Sequence, residues 1–217
     1  MSFPEYSRAE RIADGCVHSL GLVASLVAMP ILVVLAQHHL PAESVTSVAV
    51  YGLSAVAMFV FSAAYNLTEQ PRWKEFLRRC DHSAIFIMIA GTYTPFALIK
   101  IGGDWGIALL AAVWTIAIIG IAVRFLLPRR FDQVSIGLYL LQGWIVLGAI
   151  DPLTSAVSMR VFTLLAIGGC LYTIGVVFHL WWRLPYQNAI WHVFVLSAAA
   201  FHYSAILDMV VPGFSNA

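Results

Sequence analysis

The sequence predicts an all-α membrane protein: a bundle of seven transmembrane helices, with the N-terminus in the cytoplasm and the C-terminus outside. Three observations predict it. Of 217 residues, 61% are apolar and 11% charged, and the mean hydropathy is +0.86. A soluble domain carries roughly 25% charged residues, so lipid must cover apolar surface that no core of this size can hide. The apolar residues fall in seven runs long enough to cross a bilayer core of about 30 Å. Lysine and arginine, finally, gather on one side of those runs.

Read by length, the spans lie near residues 16–36, 45–66, 82–100, 105–126, 133–150, 160–180 and 188–208. The first fifteen residues mix acids and bases without an apolar run and do not read as a secretory signal. Pro30 in the first span and Pro95 in the third predict kinks, because each removes a backbone donor. The hydroxyls of Thr92 and Thr94 are placed to bond the backbone groups freed by Pro95. Trp105, Trp181 and Trp182 sit near span ends, as an interfacial aromatic belt requires, whereas Trp114 and Trp144 are deeper and read as packing residues. The fifth span is short, with a vague start. Connections are brief and no linker or soluble domain is left over, so residues 1–217 read as a single domain.

Charge sets the direction. Arg8, Arg11, Arg72, Lys74, Arg78, Arg79, Arg124, Arg129, Arg130 and Arg183 fall on the side of the N-terminus, and only Lys100 and Arg160 on the other. Ten against two places the N-terminus in the cytoplasm. Net charge is +1, which gives no electrostatic case for a nucleic-acid partner. Cys16, Cys80 and Cys170 match neither a disulfide framework nor a zinc spacing and read as small buried residues.

Ionisable groups inside spans are costly and face the bundle interior. Here they converge. Glu10, Asp14 and His18 are spaced four apart on one face at the start of the first span; Ser62 and Asn66 share a face at the end of the second. Asp81 and His82 open the third span, and Asn188 and His192, again four apart, open the seventh. All lie a turn or two inside the cytoplasmic boundary, where four helices together would line a water-filled or metal-containing cavity. Asp81 alone also suits a helix N-cap. His202 lies about 15 Å deeper than His192 and reads as a hydrogen-bonded core residue; His179 reads as interfacial.

The stretch D-H-S-A-I-F-I-M-I-A-G-T-Y-T-P-F (Asp81 to Phe96) resembles the signature of the hemolysin III family, the bacterial branch of the progestin and adipoQ receptor superfamily. S-A-A-Y-N (Ser62 to Asn66), G-G-C-L-Y-T-I-G-V-V-F (Gly168 to Phe178), N-A-I-W-H-V-F-V-L (Asn188 to Leu196) and the opening E-R-I-A-D-G-C-V-H-S-L-G (Glu10 to Gly21) follow in the family's order. The resemblance implies a multi-pass protein of the bacterial inner (plasma) membrane. In the adiponectin-receptor branch it further implies a zinc ion held by one histidine of the second helix and two of the seventh. An aspartate and a serine there position water for hydrolysis of a lipid amide. Ser62 and Asp81 match that serine and aspartate as catalytic candidates, and His192 matches one metal ligand, with Asp81 nearby. The other two ligand positions hold Asn66 and Asn188.

Zinc sites use imidazole, thiolate or carboxylate, and a catalytic one holds three such ligands. Asparagine offers a neutral amide that also donates. The expectation is therefore a degenerate zinc site: no cofactor, and a metal-free network of Asn66, Asn188, His192 and Asp81. A rearranged zinc site of His18, His82, His192 and Asp81 is the alternative. The expected function is lipid binding, sensing or membrane homeostasis through a cytoplasmic-side cavity, with membrane lipids as partners. A zinc-dependent lipid amide hydrolase and a pore-forming cytolysin are the competing readings, and no charged lumen-lining series favours the last.

Overall fold

The computed structural model describes residues 6–211, without the side chain of Arg130. The first five residues, the C-terminal end and the Arg130 charge counted above lie outside the described residues. Seven helical spans among the described residues are long and apolar enough to cross a membrane, and there is no strand. They are α1 (Arg8–His39), α2 (Ala42–Leu67), α3 (Pro71–Pro95) continued by a π-helical turn (Phe96–Ile101), and α4 (Gly103–Leu126). The fifth span is broken into α5 (Asp132–Trp144), a 3₁₀ segment (Ile145–Ala149) and α6 (Ile150–Ala156). α7 (Met159–Leu180) and α8 (Gln187–Val210) complete the bundle.

Several helices outrun the apolar segments that announce them, because capping chemistry rather than hydropathy sets their ends. α1 starts at Arg8: the Ser7 hydroxyl accepts from Glu10 N, while Glu10 Oε2 accepts from Ser7 N (2.8 Å), a reciprocal cap. Its 32 residues span about 48 Å, so its first turns lie beyond an apolar core of about 30 Å. α3 begins at Pro71, where the missing N–H costs nothing. Asp81 is therefore an interior residue of α3 and not its N-cap; Gln70 holds that position.

The two prolines act differently. Pro30 sits inside an unbroken α1. At Pro95 the regular ladder widens into the π-helical turn, which ends at Gly102 (φ 61°) and Gly103 (φ 52°), a left-handed pair that lets α4 start at once. Thr92 and Thr94 bond Met88 O and Ala90 O (2.8 Å each), four residues back on their own helix. Those are not the carbonyl that Pro95 frees. The break in the fifth span has the same origin: Pro152 cannot donate to Gly148, so the chain tightens to 3₁₀ before α6.

The spans form a ring in which each helix packs on the next and α8 packs against both α7 and α1. The closure between α5 and α7 is the sparsest seam. Leu32, Tyr51 and Phe86 are wholly buried at the centre. Gln142 of α5 is also wholly buried and ties three spans, donating to Phe86 O (3.1 Å) and Val113 O (3.0 Å). Leu53, Leu126 and Met159 face outward on the lipid side. Trp105, Trp181 and Trp182 are exposed, as a belt requires, while Trp114 and Trp144 turn inward to bond Thr94 and Thr173. All three cysteines are free thiols, but Cys16 and Cys170 are exposed rather than buried. In an apolar solvent a small thiol has no reason to turn inward.

Candidate functional site

The polar residues of α1, α2 and α8 meet at the end of the bundle that holds the start of α1. Local chemistry puts them there. Glu10 Oε1 accepts from Tyr186 N (2.9 Å), the left-handed residue (φ 58°) that caps α8, pinning the starts of α1 and α8 together. Asn188 follows Tyr186 by two residues. One turn further along each helix, Asp14 and His192 then face each other. α2 arrives from the other direction, and Lys74 donates to Tyr65 O and Thr68 O (2.8 Å each), closing its carbonyl end beside Asn66.

Asp14, 8% exposed, is the hub. Its Oδ1 accepts from His192 Nδ1 (2.8 Å) and its Oδ2 from Asn188 Nδ2 (3.0 Å). The same amide of Asn188 donates to Asn66 Oδ1 (3.0 Å). Asn66 in turn donates to Ser62 O (2.9 Å) and to His18 Nε2 (3.2 Å). His18, 3% exposed, donates from Nδ1 to Asp14 O (2.8 Å), which leaves Nε2 to accept from Asn66 and from the Ser62 hydroxyl (3.1 Å). The two imidazoles meet edge to face with centroids 4.2 Å apart. Each amide thus faces acceptors with its nitrogen, and Asn66 also faces a donor with its oxygen. That fixes both amide orientations.

The donor chemistry decides how the resembled zinc set fits. At the two positions where that set needs imidazole, Asn188 points N–H groups at Asp14 and Asn66, and Asn66 points its N–H groups at His18 and Ser62. A hydrogen-bond donor cannot ligate, so the three-histidine arrangement does not fit these residues. A different group does bring ligand atoms together: one atom each from Asp14, His18 and His192, all within 4.8 Å of one another. It shares His18 and His192 with the rearranged set considered from sequence, and takes its carboxylate from Asp14 instead of Asp81.

These residues line a cavity of about 1130 Å³. Its opposite wall carries Asp81, His82, Arg124, Asp132, Tyr139 and His179. Asp81 lies beside the Ser62 hydroxyl, as a hydrogen-bonding neighbour, and within electrostatic reach of His192, and its carboxylate approaches His82 Nδ1 at 4.0 Å. His82 itself bonds Arg78 O (2.6 Å) on its own helix. His179 does not sit at the interface but turns in against Trp191, with ring centroids 5.0 Å apart. Below this wall an ionic lattice joins α3, α4 and α5. Asp132 accepts from Arg78 (2.8 Å) and Arg124 (2.7 Å), and Glu75 accepts from Arg78, Arg79 and Arg129.

A second cavity of about 200 Å³ lies deeper, beside the sparse α5–α7 seam, and is lined by groups such as Trp144, Leu165, Ala166 and Gly169. Met58, Ile85, Tyr139, Tyr172, Val176 and Trp191 line both cavities, so the polar space and the apolar one adjoin across shared walls. His202 borders the deep cavity and donates to Leu165 O (3.3 Å), the core role expected of it. Its ring packs where Gly168 leaves room, since a Cβ there would overlap the imidazole. The apolar cavity and the inward turn of His179 had no sequence signal beyond residue type, and the spacing that turned Asp14 inward did not single it out as the hub.

Comparison with known proteins gives a consistent picture. A family model described as "Haemolysin-III related" matches residues 7–203. Hemolysin-3 of Bacillus cereus is 40% identical over 94% of this chain and 93% of its own length. The Hemolysin-3 homolog of Bacillus subtilis (strain 168) is 35% identical over 91% and 93%. The human Monocyte to macrophage differentiation factor is 27% identical over 91% and 83%. No solved structure matches the chain.

Proposed function

The chain belongs to the haemolysin-III-related family of multi-pass membrane proteins, and from that premise we propose that it binds a membrane lipid, as a sensor or in membrane homeostasis. The lipid's polar end sits in the large cavity and its chain in the apolar one. The observation that carries this reading is the adjacency of the two cavities, which share wall residues. A polar space set against an apolar one suits a molecule with a head and a tail, and a sparse seam between spans offers a lateral path from the bilayer. Between the two cavities the Tyr172 hydroxyl is buried and, among the described residues, has no hydrogen-bond partner, which suits the polar atom of a ligand. In this reading the cavity lies at the end that the charge asymmetry predicts to be cytoplasmic, and Asp14 with its asparagine and histidine partners forms a hydrogen-bonded floor.

Native mass spectrometry of the gently extracted protein tests it. The wild type should retain a lipid adduct. Ala166→Phe, which fills the apolar cavity, should lose it, while Ile167→Phe on the neighbouring lipid-facing surface should keep it. A wild type free of lipid, or adducts indifferent to Ala166→Phe, would contradict the reading.

One observation favours a second reading: the Asp14, His18 and His192 group. An ion held there would polarise a substrate carbonyl, with Ser62 beside His18 and Asp81 on the opposite wall as the hydrolytic pair.

A further inference from the structure

Arg124 holds an unusual position. It is 4% exposed, near the end of α4, and lines the polar cavity. Its Nη1 donates to Asp132 Oδ1 (2.7 Å). Its Nε and Nη2 are buried and, among the described residues, have no hydrogen-bond partner. These two atoms form one edge of the guanidinium, the edge whose parallel N–H bonds match both oxygens of a carboxylate or phosphate. His179 Nδ1, within electrostatic reach of Arg124, is also buried and, among the described residues, has no hydrogen-bond partner. Buried donors at a charged group are costly when unmet. The open guanidinium edge on this cavity wall marks a place for an oxyanion.

The surroundings narrow the choice. Asp132 holds the other side of the guanidinium, so the open edge is oriented by an ion pair that Arg78 shares. His82, Tyr139 and Asp81 also lie within electrostatic reach of Arg124. Of these only Asp81 is an acid, and no hydrogen bond joins it to Arg124. The cavity that Arg124 lines shares walls with the apolar cavity, where a chain can lie.

We propose that the Nε–Nη2 edge of Arg124 is the headgroup site of this cavity, and that it selects lipids with an oxyanion headgroup, a phosphate monoester or a carboxylate. The proposal rests on the lipid-binding reading and names the class of lipid. Arg124 acts by binding: its fork fixes the headgroup at the α3–α4–α5 wall, and the chain runs past Tyr172 and Trp191 into the apolar cavity.

Tryptophan quenching tests it, since Trp144 and Trp191 line the apolar cavity. The probes are a brominated-chain lysophosphatidic acid, a brominated fatty acid, a brominated monoacylglycerol and inorganic phosphate. The wild type should bind the two acidic lipids about tenfold or more tighter than the neutral one, as a charge-assisted bidentate contact implies. Arg124→Gln should bring that ratio close to one. Arg124→Lys keeps the charge beside Asp132, and hence the fold, but lacks the fork; it should lose most of the selectivity too. Selectivity intact in Arg124→Lys and Arg124→Gln would overturn the proposal and leave the edge to Asp81. Quenching by all three lipids with equal affinity in the wild type would also overturn it, while the lipid-binding reading stands. Quenching by none would remove that reading and this one with it. Inorganic phosphate that displaces no chain-bearing probe supports a lipid source. Displacement by phosphate in the wild type and not in Arg124→Lys would assign the edge to a free anion and overturn the headgroup.

Discussion

Asp14→Ala is expected to destabilise the detergent-solubilised protein by about 3 kcal/mol, read as a lowered thermal unfolding midpoint. The carboxylate accepts from His192 on one oxygen and Asn188 on the other, at a site 8% exposed. Truncation strands both donors where little water can reach them, and the loss propagates, because the Asn188 amide also holds Asn66, which holds His18. Asp14→Asn keeps an acceptor and the side-chain shape, so it should cost about 1 kcal/mol. Equal effects of the two substitutions, or an alanine variant within about 0.5 kcal/mol of wild type, would mean that Asp14 is not the hub.

Asp132→Ala should be comparably severe for a different reason. Asp132 is itself partly exposed, but it neutralises Arg78 and Arg124, which are 7% and 4% exposed. Removing it leaves Arg124 with no side-chain partner among the described residues, while Arg78 keeps Glu75. A stranded buried cation costs about 3–5 kcal/mol, reduced here by the access of solvent to Asp132 to about 2–3 kcal/mol. The double variant Arg124→Met/Asp132→Ala removes the charge together with its partner and should recover part of the loss. A double variant less stable than Asp132→Ala alone would show that packing, not an unpaired charge, dominates at this corner.

The spans were legible in the sequence because lipid imposes a length: an apolar run of about 20 residues has few other uses. The convergence of polar groups was legible for a related reason. Pairs four apart, such as Asp14 with His18 and Asn188 with His192, share a helix face, and a face carrying polar groups in a span turns inward. What the spacing does not carry is the rotation and tilt of each helix about its neighbours. Asp14 and Asp81 are both acids at the right depth. Only the pinning of α1 to α8 through Glu10 and Tyr186 makes Asp14 the partner of His192. Arg124 contributed to the sequence reading as one positive charge among ten, yet its burial beside Asp132 gives it a specific partner and an open edge. The two asparagines were legible as departures from a metal-binding pattern. That their amides donate into one shared network required the side-chain geometry.

Whether hydrogen bonds or a zinc ion organise the polar centre is read most directly from metal content. Zinc should be measured in the protein purified without chelator, in Asn66→His/Asn188→His and in Asp14→Ala. The wild type is predicted to carry far less than one zinc per chain, and the double histidine variant to approach one, because it restores the imidazoles that the resembled site needs. Stoichiometric zinc in the wild type, lost in Asp14→Ala, would contradict the account and make Asp14, His18 and His192 the ligands of a working metal centre.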